Sequence, residues 1–125
     1  MALRVFKSLP FHRWARKEGL TNAVLAQAAK EVEAGLVDGR LGGFLIKKRV
    51  PKSGAGKRGG YRTILAHRQG SRLFFMEGYA KNEKDDLEPN ERSALVAAGD
   101  VYMKLTDAEL DMAVDANKLL EVTVR

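Results

Sequence analysis

"FLIKKRVPKSGAGKRGGYRTILAH", residues 44–67, decides the fold of this chain. Two runs rich in β-branched and aromatic residues flank a loop of glycines and cations. In the first run Phe44, Ile46 and Val50 fall on one face, with Lys48 as a misfit, and Leu45, Lys47 and Arg49 fall on the other. Between the runs, residues 53–62 hold four glycines and three cations. Two readings compete for this loop. A phosphate-cradling P-loop needs a glycine, four residues, then Gly-Lys-Ser/Thr, and it must open a helix. Gly56 and Lys57 supply the Gly-Lys, but Pro51 stands where the first glycine belongs and Arg58 where the hydroxyl belongs. The following run, "YRTILAH", is a strand pattern, so no helix N-terminus would face the phosphates. The stretch is therefore a β-hairpin whose glycines supply the positive φ values of its loop. A third run, "RLFFMEGYA", joined by "RQGS", extends the antiparallel sheet.

Helices are predicted on either side of that sheet. "LRVF", residues 3–6, reads as a short strand, after which Ser8 caps a helix with Pro10 in its first turn and Gly19 at its end. Thr21 or Asn22 caps a second helix, with an apolar stripe at Val24, Leu25, Ala28, Val32 and Leu36 and Gly35 just past its end. "LVDGRLGG" reads as a loop. Beyond the sheet, Asp86 or Asn90 caps a helix to about Met103, with Pro89 at its start. Thr106 and Glu109 form a capping box for a last helix, "TDAELDMAVDANKLL". The expectation is an α+β domain: N-terminal helices, an antiparallel sheet of three or four strands, and C-terminal helices.

Charge narrows the partner. Residues 1–39 carry a net +2, residues 40–84 a net +10 and residues 85–125 a net −6. A cationic middle with two acids in 45 residues is the footprint of a polyanion-binding surface. The chain has no cysteine and two histidines, His12 and His67, which argues against disulfides and a metal centre and for the cytoplasm. No signal segment or membrane span stands out, although no acid precedes Glu18.

The hairpin cations Lys52, Lys57 and Arg58 repel one another unless an anion is near, and glycine backbone lets a sugar–phosphate chain approach closely. Lys47 and Arg49 share a strand face, Arg62 begins the next strand, and Lys81 and Lys84 follow the third in "YAKNEK". Such a cluster lacks a histidine base or paired carboxylates. Crowded cations lower a lysine pKa, so a lysine there can take a proton near neutral pH. Arginines stay charged and stabilise a pentacoordinate phosphate. That is sufficient for RNA cleavage through the ribose 2′-hydroxyl. Tyr79 reads first as a strand aromatic, though it could donate a proton or stack on a base. Trp14 reads as a core anchor, His12 and His67 as surface histidines, and Glu83 as a base or an ion-pair partner of Lys81.

"GKRGGYR" followed by "YAKNEKDDL" (79–87) resembles the HigB-like branch of the RelE/HigB toxins of type II toxin–antitoxin systems. The resemblance covers roughly residues 3–103 and implies a RelE/ParE-like fold. It also implies a growth-inhibiting mRNA interferase that enters the ribosome and cuts the bound message without a cofactor. Its partners would be a cognate antitoxin, of helix-turn-helix type, and the ribosome with its mRNA. Operator DNA would be met only through the antitoxin complex, and no membrane is implied. Arg62 would hold the scissile phosphate and Lys81 would match the basic position after the last strand, with Lys57 and Arg58 completing the catalytic set. Lys47, Arg49, Lys52 and Lys84 would bind RNA. Relatives often place a tyrosine in a C-terminal helix near the site, where this chain has Asp86, Leu87 and Glu88. Residues 104–125 are expected as an acidic helical extension of the 1–103 toxin domain. That extension would cover the basic face or seat the antitoxin. Two other functions fit the same pattern: a gyrase poison of the same fold, and a nucleic-acid-binding module without catalysis.

Overall fold

The computed structural model describes residues 3–52, 56–83 and 86–124, with backbone alone at 56–59. The chain runs through β1 (Arg4–Ser8), α1 (Leu9–Glu18), α2 (Asn22–Glu33), β2 (Gly39–Gly42), β3 (Leu45–Lys52), β4 (Gly56–Arg68) and β5 (Arg72–Ala80). It ends with α3 (Pro89–Lys104), α4 (Asp107–Asp115) and β6 (Leu119–Val122). Six strands form one sheet in the order β2-β3-β4-β5-β1-β6. The hairpin β3–β4 is antiparallel, as is β4–β5, whereas β1 pairs parallel to β5 and antiparallel to β6.

The sheet is larger than the expected three or four strands. "GRLG" was expected as loop, but it adds an edge strand beside Ile46 and Lys47. The last predicted helix stops at Asp115, where Asn117 takes a positive φ of 60°. The chain then turns back as β6 to cover β1, burying Leu119 and Val122. Phe44 precedes β3 instead of opening it, and packs on the face away from Ile46 and Val50. The cap of α3 is Glu88, because Pro89 occupies the first helical position. Asp86 instead accepts the Leu87 N–H at 2.9 Å, and Asn90 lies inside the helix. The caps Ser8 and Thr21 and the Thr106–Glu109 capping box form as read, each hydroxyl accepting the expected backbone N–H.

Two layers of helix cover the sheet. On one face α1 and α2 bury Val5, Ile46, Val50, Tyr61, Leu65, Leu73 and Phe75. On the other, α3 and α4 bury Phe6, Leu45, Ile64, Ala66, Phe74 and Tyr79. Two glycines set how closely these layers approach. A Cβ on Gly78 would strike the Trp14 ring of α1, and one on Gly99 of α3 would lie 3.2 Å from the Ala66 Cβ. The Lys48 misfit is resolved by pairing: on the α2 side, its Nζ meets Glu31 Oε1 at 2.8 Å and the Leu36 carbonyl at 2.9 Å.

Candidate nucleic-acid interface and active site

Antiparallel register brings the hairpin cations into line. Arg49 of β3 lies opposite Arg62 of β4, and Arg62 lies opposite Tyr79 of β5. The next row on the same face is Lys47, Ile64 and Glu77. Alternation places both rows on the α3 side of the sheet, at the end nearest the glycine loop. A β-bulge at Met76, between the Leu65–Phe75 and Ile64–Glu77 pairs, shifts Glu77 and Tyr79 into these rows.

The environments within the row differ sharply. Arg49 is exposed and Lys47 half-buried, its stem lying over Gly39. Arg62 is 8% exposed and Tyr79 3%. Among the described residues, Arg62 Nη1 is buried with no hydrogen-bond partner. A buried guanidinium N–H left unpaired costs about 1–3 kcal/mol, which an anionic oxygen would recover.

The other expected site residues are not brought into this row. Lys52 and Lys81 line a cleft of about 520 Å³ at the same end of the sheet, but with Glu18 of α1 and the α1-side residues Tyr61 and Ala80. Asn82 and Glu83 complete that cleft. Burial, and then Glu18 and Glu83, push the Tyr61 phenol above its ordinary value of 10.0, and its hydroxyl reaches the Glu18 carbonyl at 3.4 Å. Lys81 is exposed, and no ion pair joins it to Glu83 among the described residues. The side chains of Lys57 and Arg58, and all of Lys84, lie outside the described residues.

Tyr79 and Glu77 are the residues that sequence reasoning undervalued. The pairing of Tyr79 with Arg62 depends on the bulge, which no local pattern announces. His12 and His67 lie away from the row. His67 meets Glu33 at 2.8 Å, and Glu33 also accepts the Gly70 N–H at 2.8 Å, clamping the β4–β5 turn. Among the described residues, no group of three or more histidines, cysteines, aspartates or glutamates is placed to hold a metal ion.

The acidic C-terminal segment does not cover the row. Arg4 Nη2 meets Asp111 at 2.8 Å, its Nη1 meets Asp107 at 3.2 Å, and its Nε donates to Glu121 at 2.9 Å. Arg4 is in register with Arg72, the first residue of β5, whereas Tyr79 is near its last. These carboxylates are therefore engaged at the opposite end of the sheet, where Arg68 and Arg72 also cap the carbonyls of Met103, Tyr102 and Leu105.

A row of cations with a phenol thus lies at the loop end of a mixed sheet, between two layers of helix, in a small α+β protein. Residues 3–122 match the family described as the RelE toxin of the RelE / RelB toxin-antitoxin system. The chain belongs to this family, and its family match takes in the acidic segment through β6. Membership implies an antitoxin partner. Among the described residues, no helix is long and apolar enough to cross a membrane.

Proposed function

We propose that this toxin is an mRNA interferase of the HigB-like branch that cuts message on the ribosome. The ribose 2′-hydroxyl gives its proton to a water molecule, its oxygen attacks the adjacent phosphorus, a 2′-O–P bond forms, and the P–O5′ bond breaks. The products are a 2′,3′-cyclic phosphate and a 5′-hydroxyl. Arg62 would take the scissile phosphate through its buried, unpartnered Nη1, and this feature carries the reading. Arg49 and Lys47 would neutralise the charge that builds on the phosphoryl oxygens. Tyr79 is the phenol of the row and would protonate the departing 5′-oxygen. Lys52 and Lys81 would hold flanking phosphates from the α1 side of the hairpin root. The loop cations Lys57, Arg58 and Lys84 would complete the electrostatic grip. "GKRGGYR" and "YAKNEKDDL" support the HigB-like assignment.

Expression in growing cells with mapping of RNA 5′ ends tests this. The expected result is messages cut at defined positions within translated regions, carrying 5′-hydroxyl ends. Arg62→Ala should lose roughly 10² to 10³ in cleavage rate. Intact messages with DNA breaks would establish a gyrase poison in its place. Intact messages without breaks would leave a non-catalytic binder.

A further inference from the structure

We propose that the antitoxin docks an amphipathic helix into an apolar groove between α2 and the outer edge of β3. The groove has a volume of about 260 Å³ and is lined by Ala23, Val24, Gln27, Ala28, Arg49 and Pro51. Glu31 also borders it, but its charge is taken up by Lys48 at 2.8 Å.

Three observations fix the kind of occupant. First, the β3 edge is open but blunted. Pairing with β2 ends at Lys47, and beyond it the Arg49 N–H is already held by Asp38 Oδ2 at 2.7 Å. Pro51, the next outward position, has no N–H to offer. An added strand would find few donors there, so the partner must be held through side chains. Second, the groove wall is aliphatic, with Ala23 and Gln27 exposed one helical turn apart on its α2 rim. That is a seat for apolar residues spaced along one helix face. Third, the cation lining it is the exposed Arg49, whereas Lys52, further along the strand, lines the neighbouring cleft. The complementary helix carries carboxylates beside its apolar anchors.

Arg49 belongs to both surfaces: it lines the groove and heads the row that continues to Arg62 and Tyr79. A carboxylate bound at Arg49 competes with phosphate there, so docking and silencing are one event. The docking itself rests on family membership. Only this last step rests on the proposed RNA chemistry.

The test titrates the protein with its purified cognate antitoxin, by calorimetry. The double variant Ala23→Glu/Gln27→Glu places like charge against an acidic helix and should weaken binding by about tenfold or more. Ala23→Lys/Gln27→Lys should bind at least as tightly as the unaltered protein. Both variants, expressed alone, should keep growth arrest, because neither position lies in the basic row; the glutamate variant should stay folded with a slightly lower unfolding midpoint, because Gln27 Nε2 donates to Glu31 Oε2 at 3.3 Å and a carboxylate there meets a like charge. Unchanged binding by the glutamate variant would overturn the proposal, as would equal weakening by both variants. Loss of the expected RNA cleavage with this charge-dependent binding intact would count against the proposed chemistry and leave the docking site standing.

Discussion

Lys48 and Arg62 are both cations buried in one sheet, yet they answer different questions. Lys48 is 3% exposed and held by Glu31 and the Leu36 carbonyl, so its burial is structural. Arg62 keeps a buried N–H without a partner among the described residues, so its burial is not explained by pairing within the fold. The alternation of residues 44–50 marked Lys48 as anomalous, but nothing local could name Glu31, because α2 and β3 meet only in three dimensions. Lys48→Ala should cost about 3 kcal/mol, the low end for breaking a buried pair, since Glu31 keeps some access to water. Urea unfolding measures this, and a loss below about 1 kcal/mol would remove the structural reading of the pair. His12 provides a pH-dependent case. Burial first, then Lys7, Arg16 and Arg13, holds its pKa below the ordinary 6.5. The unfolded chain therefore takes up this proton before the folded one does, and stability falls as pH drops through 6.5. Thermal midpoints of the natural protein and His12→Gln should diverge from pH 7.5 to 5.5, with the natural protein losing more; a constant difference would refute it.

Helices were legible where capping chemistry is local, as at Ser8, Thr21 and Thr106. The hairpin was legible because two alternating runs enclose glycines. The missed elements, β2 and β6, are each four residues long and paired at the margins of the sheet. "GRLG" has loop composition, and "LLEV" follows a helix with only Asn117 to mark the reversal. The row Arg49–Arg62–Tyr79 was half legible: Lys47 and Arg49 share a face by simple alternation, whereas the partner of Arg62 depends on the bulge at Met76. β6 should matter to the whole domain in spite of its length. A chain ending at Lys118 loses the burial of Leu119 and Val122, worth about 3–6 kcal/mol for two buried aliphatic side chains. It also bares the β1 edge, so it should show a lower urea midpoint and light scattering from aggregates. A soluble truncated form of unchanged midpoint would show that β6 is dispensable.

Charge separation along the chain becomes spatial separation in the fold. The acids of α4 and β6 serve Arg4 and Arg72 at one end of the sheet, leaving the cationic hairpin at the other. Single-stranded RNA binding should therefore weaken steeply with salt. If Lys47, Lys52, Arg49, Arg62 and Lys81 each neutralise one phosphate charge, log K against log salt has a slope of about −3.5. Arg49→Ala should flatten it by about 0.7, whereas Arg13→Ala, on the exposed face of α1, should leave it unchanged. Equal slopes for the natural protein and Arg49→Ala would place the RNA elsewhere.

The strand order carries a consequence for biosynthesis. β1 leaves the ribosome well before its sheet neighbours, residues 72–80 and 119–122. Pairings of such long sequence separation form slowly, because loop closure must precede any reward. The nascent polypeptide therefore cannot seal its sheet until residue 122 has been translated. The complete fold, and any toxin activity that needs it, thus waits for β6, and an antitoxin already in the cell can meet the product as it matures.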